Sequence, residues 1–332
     1  MKIQSCLCFL ILLAFFSCKK SSSPCELSDE ILQVPIEVKI ERIETKLFET
    51  TDTADILWVM EEHPEFTRQY LQENLYESRK ELAAELLQIN QDSAMQELYG
   101  EVMLHFPDIS EVEKELENAF KYIRYYFPEF KIPKVYTMVS GFNSDLLMSE
   151  DVVVIGLDYF LPEEHKFQPV DLPKYITKRY QKDYIVPTIL VALSSQFNAT
   201  DMNDNTLLAE MIYYGKAYHF VKTMMPCTPD EYIIGYSSED IQKSYANEEM
   251  IWSHFIENEL LFETNPFEIR KYTGEAPFTD AISMEAPGRL GRWLGWNIVD
   301  DYRFNNSLNI NELMEERSAD KIFRQSGYKP RR

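Results

Sequence analysis

Glycine is scarce, ten in 332 residues, and so few turn formers argue against an all-β chain of many short strands. Cysteine is scarcer, at five. Cys6 and Cys8 fall in an N-terminal apolar segment, so no disulfide framework is available, although Cys25 and Cys227 could pair in an oxidising compartment. The apolar run Leu7–Phe16 is about ten residues long, half of the roughly 20 that a membrane-spanning helix needs. Basic charge is in deficit, with 33 Lys and Arg against 55 Asp and Glu and a net charge of −22. Such a chain repels phosphate backbones, which sets nucleic-acid binding aside. Common catalytic signatures are missing too. There is no H-E-x-x-H, no G-x-S-x-G, and no G-x-G-x-x-G after a strand. An S-x-x-K string at Ser318–Lys321 lacks its S-D-N and K-T-G companions, so Ser318 reads as a helix cap.

What is present can build a large core: 45% of residues are hydrophobic and 13% aromatic. At the N-terminus, Lys2 precedes the apolar run, and F-F-S-C ends on Cys18. A short apolar run with a small residue before Cys resembles the lipobox read by bacterial signal peptidase II. Residues 1–17 are therefore expected to be a lipoprotein signal peptide, with lipid on Cys18 and residues 18–30 as a tether. Lys19 and Lys20 beside the lipid favour an anionic membrane surface.

Past the tether, 34–44 alternates, with Ile36, Val38 and Ile40 opposite Glu37, Lys39 and Glu41. That pattern predicts a strand with one wet face. Residues 53–127 are helical in character. His63-Pro64 is a break, one helical pattern covers Glu77–Leu104, and Ser110 with Glu113 is expected to form a capping box for a helix ending before Pro128. Strands are expected at 135–139 and at 152–158, the second a β-branched run suited to burial on both faces.

Two helices, 184–197 and 206–225, follow at the centre of the chain. Ile185, Ile189, Leu193 and Phe197 make one stripe; Leu208, Met211, Ile212 and Gly215 make the other. Further helices are expected at 248–262 and from Pro287, where Gly288, Gly291 and Gly295 share a face and imply close approach of another backbone. Asn309 with Glu312 looks like a capping box.

Two resemblances rest on these stretches. Tyr214–Phe220, Y-G-K-A-Y-H-F, resembles the E-G-x-A-x-Y-F signature on the third-ligand helix of gluzincin-type zinc peptidases. In that registration Tyr214 stands where the third ligand, a Glu, would be, and the preceding helix carries neither His nor Glu. A second registration keeps Glu210 and loses both His. Three protein ligands are needed for a catalytic zinc, so the resemblance implies a degenerate site and no metal. The segment Pro287–Tyr302, the terminal Ser326–Pro330, the strand Ile155–Leu161 and the lipobox together resemble the GldB family, gliding-motility-associated lipoproteins of Bacteroidetes. The likeness covers nearly all of the mature chain. It implies a cell-envelope lipoprotein on a gluzincin-like fold with no established enzymatic activity, no cofactor, and other envelope or gliding-machinery proteins as partners. No catalytic residue carries over.

The expected architecture is α+β and predominantly helical, a zincin-like helical domain with a small mixed sheet. Residues 31–332 form one domain, with its sheet-containing part at 31–170 and its helical part at 171–332. Candidate cleft residues are Glu210, Tyr214, His254, Glu257, Arg289 and Arg292. His254 and Glu257 lie one turn apart on a helix, close enough to share a proton or a metal. Glu210 and His219 point to opposite faces. His63, His105 and His165 lack H-x-H or H-x-x-x-H spacing and read as isolated histidines. Arg289 and Arg292, near Trp293 and Trp296, could grip an anionic or glycan ligand; an Arg packed on a Trp seam is the plainer reading. Two functions follow: a non-catalytic scaffold or adaptor anchored through Cys18, or a metal-dependent hydrolase of envelope peptides or glycans that uses His254 and Glu257.

Overall fold

A computed structural model describes residues 28–330. Four strands form its sheet: β1 (Ile40–Arg42), β2 (Lys134–Met138), β3 (Leu146–Met148) and β4 (Val152–Gly156). Their order is β1-β2-β4-β3. β2 runs parallel to both β1 and β4, and β3 is antiparallel to β4 at the edge. All five β4 residues are buried, as the β-branched run predicts. β1 is shorter than expected. Its in–out alternation does extend back to Ile36, but the register places Ile40 opposite Val135, so Pro133, which has no N–H, ends the ladder. The N–H groups of Val38 and Ile40 donate instead to the carboxylates of Glu117 and Glu113, at 3.3 and 2.8 Å. The chain then turns into a short helix at Ile43–Phe48.

Before β2 come α1 (Thr53–Glu62), α2 (Arg79–Asn90), α3 (Ser93–His105) and α4 (Ser110–Tyr126). His63-Pro64 separates α1 from the next turn of helix. The single helix expected over 77–104 is two, because Asp92 leaves helical geometry and its carboxylate caps α3 through the N–H groups of Ala94 and Met95. The expected Ser110–Glu113 capping box does not form. Ile109 is the N-cap, the Ser110 hydroxyl donates to Asp108, and Glu113 is taken by β1.

The C-terminal half is helical: α5 (Ile185–Leu193), α6 (Leu207–Met224), α7 (Ser238–Ala246), α8 (Glu248–Glu257), α9 (Pro266–Thr273), α10 (Leu290–Asn305) and α11 (Ala319–Ser326). The two central stripes are buried as expected, Phe197 only in part. α8 ends at Glu257, short of the expected 262, and Pro266 starts α9 with Asn265 as its cap. Asn309 with Glu312, and Ser318, cap as predicted.

The tightest crossing pairs α6 with α10. A Cβ on Gly215 would stand 2.4 Å from the Gly295 carbonyl oxygen, and one on Gly295 would stand 2.0 Å from that of Met211. The two backbones touch there with no side chain between them. α10 begins at Leu290, not at Pro287. Gly288 lies outside the helix, where a Cβ would stand 1.8 Å from the Ala276 carbonyl oxygen, and Arg289 adopts the left-handed conformation, φ 64°, at the N-cap. Among the described residues no helix is long and apolar enough to cross a membrane.

Candidate functional site

A cleft of about 950 Å³ opens beside the N-terminal half of α6, walled by residues 198–206, the start of α9 and residues 316–319. Glu210 and Tyr214, one helical turn apart on α6, both line it. Lys216 lies at its floor, 1% exposed. The Lys216 ammonium donates to three backbone carbonyls: Ala199 at 2.7 Å, Glu316 at 2.8 Å and Met314 at 3.0 Å. That matches the three donors of an ammonium and ties the segment at 199 and the C-terminal end of the Ile310–Glu315 helix to α6. Burial pulls its pKa down to about 7, and the Glu316 charge opposes the shift. Beside it, Asn198 donates to the Tyr213 carbonyl at 2.9 Å, while its own side-chain oxygen is buried without a donor among the described residues.

Arg292 lies over the Tyr214 ring, 3.8 Å from its centroid, and donates to the Thr273 carbonyl. Burial raises the Tyr214 pKa against the pull of Arg292. Arg289 packs over Tyr236 and donates to the Gly235 carbonyl at 3.0 Å. Both arginines face the Glu275 carboxylate with Arg179. Burial works to raise the Glu275 pKa, but Arg289, Arg179 and Arg292 together hold it below the usual range. The arginines therefore sit on tyrosines and a shared carboxylate. Trp293 is buried against Tyr245, and Trp296 packs on Tyr218. Arg289 and Arg179 line a separate cavity of about 420 Å³.

His254 and Glu257 lie on α8 and do not line the cleft. His254 Nε2 is 3.1 Å from the Tyr272 hydroxyl, and burial lowers its pKa. Of the six candidates, then, Glu210 and Tyr214 share the cleft, and Arg292 reaches it through Tyr214. Cys18 and Cys25 lie outside the described residues. Cys227 is disulfide-bonded.

Sequence reasoning missed three arrangements. His219 pairs through Nδ1 with Asp300 at 2.5 Å, and Arg303 approaches its Nε2 at 3.1 Å. Asp158, fully buried after β4, accepts from the N–H groups of Ser140 and Phe142 at 3.0 and 2.6 Å and pins the turn before β3. Glu101, His105 and His165 converge, with ligand atoms all within 4.8 Å of one another. The Glu101/His105 spacing on α3 was the available signal for the last; nothing local marks the first two.

This arrangement defines a mostly helical α+β protein with a small mixed sheet and a cleft floored by a buried lysine. The chain belongs to the family described as gliding motility protein GldB, whose model matches residues 24–330. Membership makes it a gliding-motility-associated lipoprotein of the cell envelope. No curated protein and no solved structure matches it.

Proposed function

We propose that this protein is a non-catalytic scaffold or adaptor of the gliding-associated envelope machinery, built on a zincin-like fold whose metal site is degenerate. Residues 1–17 are its signal peptide, lipid on Cys18 holds it to the membrane facing the periplasm, and residues 18–30 are the tether to a single domain. The observation that carries this reading is the use of the α6 side chains. In the positions that resemble a third-ligand helix, Tyr214 lies under Arg292 and Lys216 closes three carbonyls. These are the bonds of a brace. The hydrolase reading would need His254 free to bind metal or move a proton, and its Nε2 is engaged by Tyr272.

The test is complementation of colony spreading in gliding cells that lack their own copy. Chains carrying Glu210→Ala, Tyr214→Ala or His254→Ala restore spreading, whereas Cys18→Ala releases the protein from the membrane fraction. Loss of spreading with His254→Ala, at normal abundance and anchoring, would count against the scaffold.

A further inference from the structure

Glu101 and His105 are one turn apart on α3, so their side chains share a face. His165 reaches that face from the turn after β4, where its N–H donates to the Pro162 carbonyl at 2.8 Å. The rings of His105 and His165 meet edge to face with centroids 5.2 Å apart. His165 Nδ1 accepts from the Phe167 N–H at 3.2 Å, which leaves the ring proton on Nε2, directed at Glu101 Oε2 3.2 Å away. The result is two imidazoles and a carboxylate gathered on a surface where His105 is exposed.

We infer that Glu101, His105 and His165 bind one divalent ion of the zinc type, clamping α3 to the 162–167 turn. Two nitrogen donors with one oxygen suit zinc over magnesium or calcium, which take oxygen sets. Zinc bonds of about 2.0–2.2 Å place tetrahedral donors roughly 3.3–3.5 Å apart. The donor atoms, all within 4.8 Å, must therefore draw in by up to roughly 1.5 Å at the widest pair, which the exposed His105 can supply by rotation. The ion takes the place of the proton between His165 Nε2 and Glu101. That proton moves to Nδ1, where the Phe167 N–H gives up its acceptor. Water completes the shell on the open side. Lys166 opposes binding, since its ammonium lies 2.9 Å from Glu101 Oε1 and 2.6 Å from Glu97. The site lies on the sheet-side helices and contains no residue of the α6 cleft, so its clamp on α3 is separate from the α6 brace.

The experiment titrates zinc chloride into the chelator-stripped full chain by calorimetry, with circular dichroism to confirm folding of each variant. Wild type takes one zinc. His105→Ala and His165→Ala each weaken binding by about tenfold or more, Lys166→Gln tightens it, and His254→Ala leaves it unchanged. Cobalt(II) in place of zinc gives visible absorption bands in wild type that disappear in His105→Ala. Absence of zinc binding overturns the inference, as does binding that survives both His105→Ala and His165→Ala. Zinc lost with His254→Ala overturns it as well, and points instead to the hydrolase reading.

Discussion

Replacing Lys216 by Met keeps most of the side-chain volume while removing the group that joins three carbonyls at the floor of the cleft. The Met314 oxygen retains a second donor, the Ala199 N–H at 2.9 Å. The oxygens of Ala199 and Glu316 lose the ammonium, and among the described residues no other donor reaches them, at a cost of about 1–3 kcal/mol each. Against this stands the cost of burying the charge. Folding lowers the Lys216 pKa to about 7, from about 10.4 in the unfolded chain. Between those values the unfolded chain binds more protons than the folded one, so the Lys216 contribution to stability rises with pH, by up to about 1.4 kcal/mol per unit. The methionine variant has no such slope. Urea unfolding of both proteins at pH 6, 7, 8 and 9 isolates the effect, because other titrating groups cancel in the difference. Wild type gains on Lys216→Met by roughly 2–3 kcal/mol between pH 7 and pH 9. Below pH 7 the difference levels off. Parallel curves over the whole range would mean that the three carbonyls keep the lysine charged and that burial does not decide its state. A methionine variant more stable at pH 9 would refute the brace itself.

The α6–α10 crossing makes a second expectation. Gly295→Ala puts a methyl into the Met211 carbonyl and costs about 3 kcal/mol or more, whereas Gly100→Ala, with nothing within 4 Å of its new methyl, stabilises by about 0.5–1 kcal/mol. Equal thermal shifts for the two would contradict the crossing. Asp158→Asn loses charge-assisted acceptance from Ser140 and Phe142 and costs about 2–4 kcal/mol by chemical unfolding. Burial raises the Asp158 pKa despite those bonds, so from the unfolded value near 3.9 up to the folded one the native state holds more protons. Stability in that window falls as pH rises, a slope that Asn removes and that difference curves would detect.

Patterns carried by near neighbours were legible in the sequence. The valines of β4 announce burial on both faces, and Ser318 announces a cap through its own hydroxyl. β3 was missed because three residues are too few to show a period. The β1 ladder was overextended because its limit is set by Pro133, some ninety residues away. Lys216 looks like any mid-helix lysine, and only the segment at 199 and the helix end at 314–316 fold over it to make it a brace. Arg289 and Arg292 neighbour tryptophans in sequence, yet adjacent helical positions diverge, and in space they meet Tyr236 and Tyr214. His105 and His165 are sixty residues apart, so their meeting is a tertiary fact. The cleft was half legible: Glu210 and Tyr214 were found, but the residues that close it were not.

The Gly215–Gly295 contact also bears on load. Side chains absorb small displacements by changing rotamer, and a joint made of main chain alone has no such slack. A pull along α10 is therefore handed directly to α6 at the crossing. Through Lys216 it continues to the segments at 199 and 314–316. For a gliding-motility-associated envelope lipoprotein, that joint behaves as a rivet: the two helices shift together.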